Sequence, residues 1–229
     1  AHFFARAGEI IGRLAGEKPP LVVGGTGLYI RALTGGIIEG PEEERRRRYR
    51  EGLKQADPAD LHGRLREVDP EAAERIHPRD RVRIVRALEM AELSGEPISA
   101  RQKRHGFRDA RYESLKIGLY RDREELYSRI DRRASGMVEA GLVEETRCVL
   151  QLGYDEKTKP LQSLGYRHFI QYLRGKMTLE EALGAMRRDT RHYARRQMTW
   201  FRGERDIEWF HPGEAGAIRD RIERFLRGR

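Results

Sequence analysis

Apolar residues in the opening stretch recur at helical spacing. Phe3, Phe4, Ala7, Ile10, Ile11 and Leu14 form one side of an amphipathic helix. Gly16 and the Pro19-Pro20 pair end it. Leu21-Val22-Val23 follows, a wholly apolar run of the kind a buried parallel strand shows. From about Gly40 to Gly106 the pattern is helical and charged. Asp57-Pro58, Asp69-Pro70, His77-Pro78 and Glu96-Pro97 each mark a helix start or break, because proline fixes φ and restricts the residue before it. No strand candidate interrupts this stretch, so it reads as a helical insertion. Leu115 to Tyr120 restores a strand. Helices are expected near 122–150, 165–174 and 178–202, then a short strand at Ile207-Glu208-Trp209 and a closing helix.

Strands separated by long helical segments imply an α/β chain with a parallel sheet. Three strand candidates are fewer than the roughly four to six of an ordinary sheet. Part of the sheet core is therefore expected upstream of residue 1. The expected division is a first part of the core at 1–36, an all-helical insertion domain at 37–111 and the rest of the core at 112–229.

Charge changes the picture next. The 229 residues carry a formal net charge of +9, which favours a polyanionic partner. Among the basic residues 7 are lysine and 39 arginine. Arginine forks suit phosphate and can stack on bases, although codon bias enriches arginine too. No apolar run approaches the roughly 18–20 residues needed to span a bilayer. A cytoplasmic protein without a membrane role is expected. The single Cys148 fits a reducing compartment and, among Leu142, Val143, Val149 and Leu150, reads as a buried small hydrophobe.

Two segments could carry chemistry. Gly24-Gly25-Thr26-Gly27-Leu28-Tyr29 stands directly after the first strand candidate. Glycines there let the backbone turn tightly and approach a ligand, and a helix starting near Gly27 presents free amide donors. An ordinary Gly-rich turn is the plain alternative. No G-x-x-x-x-G-K-[ST] phosphate loop occurs in the sequence.

The second segment is the helix 179–202. On a wheel of about 100° per residue, Leu179, Ala182, Leu183, Met186, Thr190, Tyr193, Ala194, Trp200 and Phe201 share one face. Arg188, Arg191, Arg195 and Arg202 line the other, flanked by Arg187 and Arg196. A solvated face is the usual meaning of such a stripe. Here it has almost no acidic partner beyond Asp189, so contact with an RNA backbone is favoured. Gln197 falls on the apolar side, where an amide needs a partner. Arg79, Arg83 and Arg86 form a weaker copy. The run Arg45 to Arg48 follows Glu42-Glu43-Glu44 and reads as a solvated, paired helix. The histidines show no H-E-x-x-H spacing and there is no cysteine cluster, so no metal site is assigned.

Four words in order resemble the tRNA dimethylallyltransferase (tRNA isopentenyltransferase) family. They are Leu21-Val22-Val23-Gly24-Gly25-Thr26-Gly27-Leu28-Tyr29; His77-Pro78 with Arg83 and Arg86-Ala87-Leu88-Glu89; Ser163-Leu164-Gly165-Tyr166-Arg167; and Arg195-Arg196-Gln197-Met198-Thr199-Trp200-Phe201-Arg202. The resemblance implies a P-loop-kinase-like core with a helical insertion. It implies transfer of a dimethylallyl group from its diphosphate to N6 of the adenosine beside the anticodon, with Mg2+ accompanying the diphosphate. The partners implied are a tRNA anticodon stem-loop and dimethylallyl diphosphate, and a monomer is expected.

By the same resemblance Thr26 would contact the target nucleotide, with Gly24, Gly25 and Tyr29 along the channel. Arg133 matches the catalytic arginine, stabilising charge on the departing diphosphate. Arg46, Arg83, Arg86, the segment Gln162, Ser163, Leu164, Gly165, Tyr166 and Arg167, and Arg195, Arg196, Gln197, Trp200 and Arg202 match tRNA contacts. The family's phosphate loop and the aspartate that serves as general base have no counterpart in these residues. The Mg2+ ligands are expected outside them too. The chain alone is therefore expected to bind tRNA and to catalyse poorly. Two other readings stay open: an adenylate isopentenyltransferase acting on free nucleotides, and a non-catalytic RNA-binding module.

Overall fold

The structure is a computed structural model that describes residues 2–38, 40–106, 112–204 and 206–228. The chain falls into two compact units, Ala1–Ser114 and Leu115–Arg229.

The first unit is helical. Helix α1 (His2–Leu14) packs on α2 (Gly27–Gly35), and Phe3 stacks on Tyr29 with ring centroids 4.2 Å apart. The segment between them departs from expectation. Leu21, Val22 and Val23 form no strand, and their exposures are 84%, 51% and 85%. An apolar run becomes a buried strand only where neighbours supply ladder hydrogen bonds and cover. Among the described residues none pairs with this one.

Five more helices follow: α3 (Glu43–Gly52), α4 (Pro58–Val68), α5 (Pro70–Arg75), α6 (Arg81–Ser94) and α7 (Ile98–His105). The proline signals place their starts. Pro58 and Pro70 occupy the first turns of α4 and α5, and Pro97 is the cap of α7. Asp80, two residues past Pro78, caps α6 by accepting from the Arg83 amide. Buried Asp69 accepts from the amides of Ala72 and Ser99, both at 3.0 Å, so one carboxylate serves two helix starts. Leu61, Leu65, Ile84, Ala87 and Leu88 form the core between α4 and α6.

The second unit holds a parallel pair of strands, β1 (Lys116–Leu119) and β2 (Ile207–Phe210), in register Gly118↔Trp209. Between them run α8 (Arg123–Glu139), α9 (Leu142–Gln151), a 3-10 turn (Lys159–Gln162), α10 (Tyr166–Leu173) and α11 (Leu179–Arg202); α12 (Ala215–Arg227) closes the unit. The single helix expected over 122–150 is two helices. Gly141 breaks it with φ 99°, a left-handed conformation that costs glycine little. A Thr178/Glu181 capping box starts α11. Ala134, Leu142, Val143, Phe169, Ala182 and Met186 make the core. Cys148 is exposed: α9 turns Leu142, Val143 and Thr146 inward, and position 148 falls outside that face.

Candidate functional site

The glycine turn carries Thr26 as the cap of α2, at φ −90° and ψ 90°, and the threonine side chain makes no capping hydrogen bond. Its hydroxyl and the first amides of α2 are therefore not used against each other. Thr26 and Gly24 are exposed, Gly25 is half-buried, and Tyr29 is held by Phe3. The helix α2 begins at Gly27, as expected, without the strand that was expected to precede the turn.

In the first unit, Arg46 pairs with Glu43, and Glu44 holds Arg47 and Arg48, as the i,i+3 and i,i+4 spacing required. Sequence reasoning missed Glu89. This carboxylate on α6 is fully buried, yet Arg50 Nε donates to it at 2.7 Å. Arg86 donates to it as well, and Arg46 Nε lies 3.8 Å away. Arg83 stays exposed beside Asp80 at 3.4 Å. Arg83 and Arg86, with Arg75, Val82 and Gln102, line an open groove of about 380 Å³.

The arginine face of α11 differs from expectation in its first half. Arg191 turns onto α8, where its Nε donates to Asp131 at 3.0 Å, and its guanidinium lies 5.2 Å from the Tyr127 ring centre. Arg187 donates to Ser135 Oγ at 2.5 Å. A wheel drawn for one helix cannot see the carboxylate on its neighbour. The second half keeps its charge. Arg195, Arg196 and Arg202 are exposed and meet no carboxylate among the described residues; Arg196 lies over the Tyr193 ring at 5.8 Å. Gln197 is half-buried and Trp200 exposed. Arg195 and Arg202 line a groove of about 690 Å³ with Tyr120, Arg121, Arg123 and Trp209. Arg123, like Arg191, lies 5.2 Å from the Tyr127 ring centre. Phosphate between guanidinium forks and bases on aromatic faces is the chemistry such a wall supports.

The segment 162–167 wraps the start of α10. Gln162 donates to the Glu156 carbonyl at 2.7 Å, Ser163 is exposed and Leu164 half-buried. Gly165 sits at φ 99°. Its amide donates to His168 Nδ1 at 3.3 Å, and His168 Nε2 lies 3.1 Å from Asp189. Tyr166 donates to Glu145, which raises the phenol's pKa. Arg167 also pairs with Asp189. The hydrogen bond from His168, and then Arg167, holds the Asp189 carboxyl below its ordinary value. His168 and Asp189 carry no motif signal; the hydrophobic spacing of α10 and α11 only placed their helices.

Arg133 is exposed on α8 and has no carboxylate partner among the described residues. Its neighbour Ala134 anchors the helix in the core. No group of three His, Cys, Asp or Glu among the described residues could hold a metal ion. The described side chains do not supply a donor set for Mg2+. No described helix is long and apolar enough to cross a membrane.

The second unit, a parallel strand pair bridged by helices, gives the chain an α/β class, the first unit is helical, and each unit carries an arginine-lined groove. A family model described as "IPP transferase" matches residues 1–204. The chain is 48% identical over 226 residues to a tRNA dimethylallyltransferase of Syntrophobacter fumaroxidans, covering 97% of this chain and 66% of the relative. It is 47% identical over 212 residues to tRNA dimethylallyltransferase 1 of Citrifermentans bemidjiense, covering 91% and 68%. Among solved structures, the full-length tRNA isopentenylpyrophosphate transferase of Bacillus halodurans matches with TM-score 0.67 and 32% identity, over 99% of this chain and 73% of that one. A structure described as snapshots of a eukaryotic dimethylallyltransferase acting on tRNA matches with TM-score 0.75 and 27% identity, over 98% and 60%. The chain belongs to the IPP transferase family. It spans about two thirds of the length of the sequence relatives it matches.

Proposed function

We propose that the chain serves the transfer of a dimethylallyl group from dimethylallyl diphosphate to N6 of the adenosine beside the anticodon of tRNA. The stretch Arg195–Arg202 carries the reading: three arginines that meet no carboxylate among the described residues, interleaved with Trp200, in a chain whose relatives are named for this reaction. A phosphate backbone relieves the mutual repulsion of those arginines. The adenosine, flipped from a single-stranded loop at a cost of a few kcal/mol, meets Thr26 and the amides of the glycine turn, with Gly24, Gly25 and Tyr29 along its path. Arg46, Arg83, Arg86 and the segment 162–167 add contacts to the stem-loop. Arg133 stabilises the charge that gathers on the leaving diphosphate; one preorganised donor of this kind is worth roughly 3–4 kcal/mol. Mg2+ accompanies that diphosphate. The division into core segments 1–36 and 112–229 around an insertion at 37–111, a monomeric state and action in the cytoplasm belong to the same reading.

Within residues 1–229 no phosphate loop and no aspartate in the expected order answer for the diphosphate or for the amine proton. This chain on its own therefore binds the stem-loop and turns it over poorly. A relative acting on free adenine nucleotides would have no use for the arginine stretch, and a pure RNA-binding module would have no use for the glycine turn. The test incubates an anticodon stem-loop with dimethylallyl diphosphate and Mg2+, following RNA mass. Binding with product below about 1% of that made by the full-length Bacillus halodurans relative is expected. Equal turnover contradicts the claim of impairment, and transfer to AMP in place of RNA contradicts the choice of substrate.

A further inference from the structure

The first unit contains a group that no assignment above uses. Glu89 has a side-chain exposure of 0%, and three guanidinium groups from two helices share its carboxylate. On α3, Arg50 donates to both oxygens, through Nε at 2.7 Å and a terminal nitrogen at 3.3 Å. One turn earlier Arg46 brings Nε to 3.8 Å. From α6 itself Arg86 donates at i,i+3. A buried carboxylate is tolerated only where charged donors answer it, so these arginines are its compensation. The converse also holds. Arg50 and Arg86 have long side chains with many rotamers, and Glu89 fixes both by hydrogen bonds, while the terminal nitrogen of Arg46 is held by Glu43.

We infer that Glu89 is a positioning residue for RNA recognition, aiming the outer donors of Arg86 at a phosphate-bearing surface. A guanidinium has five N–H donors in a rigid fork, and on Arg86 the carboxylate takes only one terminal nitrogen. Arg86 remains 38% exposed and lines the groove with Arg83. Gly40 lies against the same guanidinium: a Cβ there would come within 3.2 Å of an Arg86 terminal nitrogen. The surface also carries more positive than negative groups, since Glu43 is the only other carboxylate in contact with Arg46 or Arg50 among the described residues. The inference rests on the reading of this family member as an RNA binder, and names the residue that organises one part of its surface.

Charge and position predict opposite signs, and this makes a test. Glu89→Gln removes a negative charge from beneath a cationic surface. If Glu89 acted only as a charge, RNA would bind more tightly. If it positions Arg86, binding weakens by about tenfold, the loss of one charge-assisted contact. Dissociation constants for an anticodon stem-loop at several salt concentrations would be measured for both proteins, with circular dichroism as the control on folding. Arg86→Lys is the second variant, because its exposed end keeps the charge and spares the core. Lysine cannot serve a carboxylate and a phosphate as one planar fork, so a loss of about tenfold is again expected. Unchanged or tighter binding by the folded Gln variant, or by the Lys variant, overturns the inference. Failure of the wild-type chain to bind the stem-loop at all is a separate result: it overturns the RNA reading itself.

Discussion

Two regions of this chain are rich in arginine and differ in what answers the charge. In the first unit, Arg46, Arg50, Arg83 and Arg86 each stand beside a carboxylate, Glu89 fully buried among them. In the second, the end of α11 carries Arg195, Arg196 and Arg202, which meet no carboxylate among the described residues. The first arrangement fixes direction and the second stores positive charge. Arginine content alone would not tell the regions apart; their neighbours do, and in the proposed function the first orients the RNA and the second attracts it.

The largest effect comes from removing the unanswered charge. Replacing Arg195, Arg196 and Arg202 together by Gln should weaken stem-loop binding by on the order of 3 kcal/mol at low salt. The slope of log K against log salt should become shallower by about two. Thermal unfolding should shift little, because the side chains are exposed. A loss confined to stability would erase the distinction drawn above.

Gly118→Ala attacks the groove from beneath. A Cβ at Gly118 would lie 2.6 Å from the Trp209 ring, too close for any carbon contact. Unfolding in urea should show a loss of about 2 kcal/mol, with a change in tryptophan fluorescence as Trp209 is displaced. Contacts of the first unit have no part in this.

Asp131→Asn converts an answered arginine into an unanswered one. Arg191 loses its partner on α8, at a stability cost of about 1 kcal/mol. Binding to RNA should tighten two- to threefold, since Arg191 joins the cationic stretch.

The smallest effect is a pH dependence. His168 and Arg167 hold the Asp189 carboxyl below its ordinary value of 3.8. Its folded pKa lies under the unfolded one, so this stabilisation is fully present above pH 3.8 and is lost as pH falls through the folded value. The carboxyl is partly exposed, and about 0.5 kcal/mol is expected. Asp189→Asn should lose that increment at pH 7 and show less further loss on acidification.

Much of the fold is legible in the sequence because local rules set it. Proline steps and side-chain caps place the starts of α4 to α7, and the Thr178/Glu181 box places α11. The limits of legibility lie where a partner decides. Leu115 to Tyr120 and Leu21-Val22-Val23 looked alike as strand candidates, yet only the former gains a neighbour, β2. Gly141 split a helix because its left-handed backbone, invisible to hydrophobic spacing, ends α8. In the candidate site, the glycine turn and the arginine stretch could be read from residue type and spacing. Glu89, Asp131 and Asp189 could not, since each acts on an arginine distant in sequence. Glu89 sits inside one of the family words, which says nothing of its burial or of Arg50.

In the proposed function the chain grips RNA through its unanswered arginines and reads one base at the glycine turn. The most direct test titrates a labelled anticodon stem-loop with the chain at several salt concentrations, beside a loop whose target adenosine is replaced. Binding that weakens steeply with salt, and weakens again by about tenfold for the replaced loop, is the predicted result. Salt-sensitive binding that ignores the base would reduce the arginine stretch to a general polyanion surface and contradict the role given to Thr26.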